Sequence, residues 1–132
     1  MADYAKLEIK ALYSKNSDHS SPKASFSPVD YTLRPDEYFH CEVQAAIATD
    51  SPAHTTIDTS ILASATLLAI KNNDSNNYVT ATFDCAGMSS TDTSVRIHAG
   101  GIFVTTDFTV AEKLKLVANS AVCQCEIFIV GT

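Results

Sequence analysis

Six consecutive small polar residues, Asn72 to Asn77 (NNDSNN), lie between two runs rich in aliphatic and aromatic side chains. Their amide and carboxylate oxygens are of the kind that hold a hard cation or a sugar hydroxyl. A calcium loop of the EF-hand type also needs a glycine in the loop and a glutamate after it, and both are missing here. Asn and Asp tolerate left-handed backbone angles and bond to their own turns, so the segment reads as the corner of a β-hairpin. Asn73-Asp74-Ser75 is formally a glycosylation sequon, but the N-terminal residues show no secretory signal, and the expectation is that it stays unmodified.

Other chemistry-bearing residues are dispersed. Nucleophilic hydrolysis needs a Ser or Cys beside a His and a carboxylate, and AGMSS (86–90) is not a nucleophile elbow. The histidines, at 19, 40, 54 and 98, form no His-x-His pair of the sort that a metal-binding jelly roll uses. Asp36, Glu37 and His40 could meet around a metal, yet RPDEYF reads more simply as a proline turn entering a strand. Gly100-Gly101 has no phosphate-loop lysine, and it fits a tight turn or bulge between strands. Four cysteines (41, 85, 123 and 125) lack C-x-x-C spacing, and VCQCEIFIV is the company of buried free thiols. The chain is expected to have no catalytic residues, no cofactor and no metal.

The elements that would carry these residues alternate with period two. AKLEIKA sets Ala5, Leu7, Ile9 and Ala11 against Lys6, Glu8 and Lys10, and FHCEVQAAI (39–47) does the same. Further strand-like runs cover 66–71, 78–83, 94–98, 101–106, 113–118 and 122–130. In 109–118, Val110, Leu114 and Val117 also fit a helical stripe, but the alternation of Leu114, Leu116 and Ala118 with lysines favours a strand. Short intervals with turn residues predict an all-β fold: an antiparallel β-sandwich, jelly-roll-like, of about eight strands. At 132 residues this is a single domain, 1–132. The Ser-rich segment 14–30 (SKNSDHSSPKASFSPVD) reads as an irregular loop or arm, with Phe26 as its one large apolar residue.

Charge and hydropathy narrow the partners. A net charge of -6 with only two arginines, Arg34 and Arg96, is wrong for nucleic acid, which demands clustered cations. No apolar run approaches the roughly 20 residues that span a bilayer, so no membrane partner is expected. The final strand is apolar on both faces through Ile127, Phe128, Ile129 and Val130, so it is either central in a sheet or covered by a partner. Phe26 and Ile127–Val130 are therefore candidate interface residues.

The order HTTIDTSILA (54–63), LLAIKNNDSNNYVTATF (67–83), RIHAGGIFVTT (96–106) and KLKLVANSAVCQCEIFIVGT (113–132) resembles small structural proteins of tailed bacteriophage virions. In that pattern a strand ending in IKN passes through an Asp/Asn turn to NYV, followed by a Gly turn and a last apolar strand. The segment 85–95 is longer and richer in Ser and Thr than the pattern. The resemblance implies a β-sandwich virion component, a capsid decoration (cement) protein or a tail or fibre part, commonly a homotrimer. Its expected partners are further copies of itself and the major capsid protein, and its expected location is the virion, assembled in the host cytoplasm. The other reading is a receptor-binding or carbohydrate-binding module, in which Tyr31, Tyr38 or Tyr78 would meet a glycan.

Overall fold

The computed structural model describes residues 5–7, 11–13, 24–26, 31–33, 37–59, 62–83, 93–106 and 114–131. The strands are β1 (Ala5–Leu7), β2 (Ala11–Tyr13), β3 (Ala24–Phe26), β4 (Tyr31–Leu33), β5 (Glu37–Ile47) and β6 (Thr55–Ile57). They continue with β7 (Ala65–Asn72), β8 (Val79–Phe83), β9 (Thr93–Ile97), β10 (Ile102–Thr105), β11 (Leu114–Ala118) and β12 (Cys123–Gly131). There is no helix among the described residues.

The chain divides into two compact units, Met1–Arg34 and Pro35–Thr132. In the first, β1 pairs antiparallel with β4, Ala5 opposite Leu33, and β2 pairs antiparallel with β3, Ala11 opposite Phe26. The segment read as an irregular arm, 14–30, thus contains strand β3; its remaining residues lie outside the described residues.

In the second unit, eight strands form one sheet in the order β10-β7-β12-β5-β11-β8-β9, with β6 paired to β11 off this path. The all-β expectation holds, but the purely antiparallel one does not. Val117 and Ala118 of β11 run parallel to Ala46 and Ile47 of β5. The cause is the length of β5. Its residues 37–45 pair with β12, and its last two residues continue past that ladder to β11. At the handover, the Thr55 hydroxyl accepts from the Ala46 N–H at 2.9 Å and donates to the Gln44 carbonyl at 2.7 Å. The end strands of the path, β9 and β10, are consecutive in the chain, so the sheet is nearly closed and barrel-like.

Alternation fills the interior. Val79, Ala81 and Phe83 of β8, Leu114, Leu116 and Ala118 of β11, and Cys123, Cys125, Ile127 and Ile129 of β12 are all buried, while the residues between them are less so. Each fully buried Leu or Ile contributes roughly 1.5–3 kcal/mol. The Phe83 and Phe103 rings meet at 5.5 Å, which links β8 to β10. Cys41, Cys123 and Cys125 are free thiols, as expected of core cysteines; Cys85 lies outside the described residues. Burial, helped by the neighbouring Cys123 and Asp74, pushes the Cys125 thiol up to about 12. It therefore stays protonated and unreactive at neutral pH.

The position of β12 answers why its sequence is apolar on both faces. It is flanked by β5 on one side and β7 on the other. At its end the β7 register shifts between Val130 and Gly131, and Gly131 lies opposite Ala65. A Cβ on Gly131 would overlap the Ser64 carbonyl oxygen, a backbone atom that cannot swing away. Gly131→Ala should therefore lower unfolding free energy by about 1–3 kcal/mol, as overpacking against fixed atoms does. Urea titration of the two proteins checks this, and an unchanged midpoint would contradict the close approach.

Candidate functional site

The alternation that buries Leu68 and Ile70 on β7 also carries Asn72 inward, and Asn72 is completely buried. A buried amide must be hydrogen-bonded or it costs several kcal/mol. Its Nδ2 donates to the carbonyls of Asn77 (2.8 Å), Ile97 (3.2 Å) and His98 (3.2 Å). Two hydrogens serve three acceptors, so one is shared. Its Oδ1 accepts from the Asp74 N–H at 3.0 Å. One side chain thereby ties the 72–78 loop to the end of β9.

Asp74 organises the loop in turn. Its Oδ1 accepts from the backbone N–H of Asn76 at 2.7 Å and of Asn77 at 2.6 Å, and from Asn77 Nδ2 at 3.3 Å. The Asn76 and Asn77 amides hold the carboxyl below the usual carboxylate range. The neighbouring loops join through the backbone. Asn73 N–H donates to the Gln124 carbonyl, Gly100 N–H to the Asp74 carbonyl and Asn72 N–H to the Gly101 carbonyl, at 2.8, 3.0 and 2.9 Å. In the 119–121 loop, Asn119 Oδ1 accepts from Tyr78 N–H at 3.0 Å, and the Ser120 hydroxyl donates to Asn77 Oδ1 at 2.7 Å. Within the 98–101 turn, Gly101 N–H returns to the His98 carbonyl at 2.8 Å. Gly100 there has φ +69°, in the left-handed region that glycine adopts without strain.

This geometry corrects the hairpin expectation for Asn72–Asn77. β7 pairs with β12 and β10, whereas β8 pairs with β11 and β9, so the loop crosses between the halves of the sheet. Turn chemistry is alike in a hairpin and a crossover, because both need residues that bond to their own backbone. Asn72 as the hub was legible in principle: it stands in phase with Leu68 and Ile70, but its polar type ended the strand-like run one residue early.

Three of the cluster's side-chain oxygens are already engaged. Asn72 Oδ1, Asp74 Oδ1 and Asn77 Oδ1 each accept a hydrogen bond from the chain itself. No group of three His, Cys, Asp or Glu side chains that could hold a metal ion occurs among the described residues. Beside the cluster, the Arg96 guanidinium lies 4.2 Å over the centre of the Tyr78 ring. Elsewhere, a cavity of about 550 Å³ is lined by Asp50, Pro52, His54 and Thr55 among others. Its carboxylate already accepts from the Ile47 N–H at 3.0 Å.

The candidate interface residues separate. Ile127, Ile129 and Val130 are buried within the chain. Phe128 lies half-buried on the opposite face, edge-on to His40 with ring centres 5.9 Å apart. The backbone of Phe26 belongs to β3, and its surroundings lie outside the described residues. His40 bonds to Glu126 on β12 at 3.1 Å. Asp36 of the weighed Asp36, Glu37 and His40 set lies outside the described residues.

No known protein family, no curated protein and no solved structure matches the chain.

Two outcomes are expected at the knot. Asn72→Ala removes the donor to the Asn77, Ile97 and His98 carbonyls and the acceptor of the Asp74 N–H, at about 1–3 kcal/mol for each group left unpaired; a urea midpoint equal to wild type would contradict its role as the hub. Asp74 has a folded-state pKa below its unfolded value. Its stabilisation is therefore full above the ordinary carboxylate pKa, about 4, and is lost as pH falls through the lower folded value. Asp74→Asn should flatten the acid limb of a stability profile between about pH 5 and 2, measured by thermal melts.

Proposed function

We propose that the protein is a non-enzymatic virion structural protein that decorates and cements a capsid as a homo-oligomer, a trimer in the arrangement the resemblance implies. In this reading the nearly closed sheet is a jelly-roll-like sandwich. β10, β7, β12 and β5 make one layer, β6, β11, β8 and β9 make the other, and the end of β5 passes between them. The observation that carries the proposal is where the resembling segments meet. IKNNDSNNYV, RIHAGGI and VANSAV are far apart in sequence, yet their turns form the single hydrogen-bonded knot around Asn72 and Asp74. Polar residues that bond to one another make a rigid scaffold and leave little chemistry for a substrate.

The mechanism is mass action. A subunit that binds only the assembled shell stabilises it by the free energy of that binding, and its partner is the major capsid protein. The carbohydrate-binding alternative would use an open aromatic face: on Tyr78 the Arg96 guanidinium occupies one face of the ring, whereas Tyr38 is exposed. The proposal predicts that purified protein co-sediments with virions or empty shells and raises the temperature at which the shells disassemble. Protein that stays in the supernatant at saturating shell concentration would refute it.

A further inference from the structure

One face of the β10-β7-β12-β5 half carries two cross-strand rows that point away from the core. The registers align Ile102, Lys71, Glu126 and Glu42 in one row, and Val104, Ala69, Phe128 and His40 in the next. The residues alternating with them, among them Ile70 and Ile127, are in the interior. Ile102 is 66% exposed, and Ala69, Val104 and Phe128 are half-buried, so an apolar strip crosses β10, β7 and β12, with His40 and Glu42 beside it on β5. Lys71 and Glu42 are exposed, one strand to either side of the central β12, and neither has an ion-pair partner among the described residues.

We propose that this face binds a second copy of the same chain, face to face, about a two-fold axis running along β12. A rotation about that axis exchanges the β7 and β5 sides of the face while keeping each row opposite itself. Lys71 of one copy then meets Glu42 of the other, and the same pair forms a second time across the axis, as an isologous contact requires. Phe128 packs on Phe128 of the second copy at the centre, where aromatic anchors are most effective. Glu126, which also lies near the axis, is drawn sideways to His40 of its own chain at 3.1 Å, away from its symmetry mate. With strands about 4.8 Å apart and same-face residues about 6.8 Å apart, the two rows on the three strands that overlap about the axis, β7, β12 and β5, span roughly 200 Å² of sheet per copy. That falls well short of the roughly 800 Å² per partner in a stable complex, so the pair is weak and is populated where the local concentration is high. The contact joins copies in twos whatever ring they also form, and it needs no particle, so it stands or falls apart from the virion reading.

Sedimentation equilibrium over a wide concentration range tests it, with thermal melts to confirm that each variant is folded. Wild type should show a monomer–dimer equilibrium. Lys71→Glu alone and Glu42→Lys alone should each weaken it by roughly tenfold or more, because both symmetric contacts become like-charged. An equal mixture of the two variants should dimerise again, since each charge-reversed side then meets its complement. Phe128→Ser should abolish dimerisation in every combination. A strictly monomeric wild type, single reversals without effect, or a mixture no tighter than its components would each overturn the proposal.

Discussion

The amide of Asn72 is the constraint on which the polar end of the sheet depends. Without it, the crossover from β7 to β8 would deprive the buried Ile97 carbonyl of this donor and leave the His98 carbonyl with the Gly101 N–H alone. With it, three chain segments that share no strand ladder at that point are held at fixed separation. A hydrogen bond of this kind adds only about 1 kcal/mol net, but leaving its partners unmade costs more than that for each. The arrangement therefore acts more through what it forbids than through what it adds.

Around that point the fold is organised by two kinds of order. Inward-facing aliphatic residues hold the sheet together without direction, since hydrophobic burial rewards contact and not geometry. Direction comes from a few polar devices at the places where strands change partner. Asn72 and Asp74 serve the crossover, the Thr55 hydroxyl serves the handover of β5 from β12 to β11, and the Gly100 turn joins the two end strands. Each stands where a ladder stops and backbone groups would otherwise go unpaired.

Strands were the most legible part of the sequence, because period-two alternation is a local signal and needs no knowledge of neighbours. The run 113–118 illustrates this: the alternation of Leu114, Leu116 and Ala118 outweighed a competing helical stripe, and 114–118 is strand β11. Partnership was not legible. That β7 crosses to the far half, and that β5 meets β11 in parallel, follow from contacts between residues 53 to 71 positions apart, for which local chemistry carries no mark. Short β6 was missed for a related reason: three residues are too few to display a period. At the candidate interface, alternation could not separate a strand that is apolar because it is central from one that is apolar because it is covered. Only the sheet order placed Ile127 and Ile129 in the core, with Phe128 facing away from it.

The place of β12 has a consequence for how the molecule comes into being. The strand that lies between β5 and β7 is also the one that follows all the other described strands along the chain. Until β12 pairs, β5 over residues 37–45 and one edge of β7 lack their native ladder partner. Local hairpins such as β8 with β9 can form early, but the sheet becomes continuous only when the final segment slots into its middle. Continuity of the sheet thus depends on long-range pairing, and edges without their partner strand are the surfaces most open to wrong pairing with other chains.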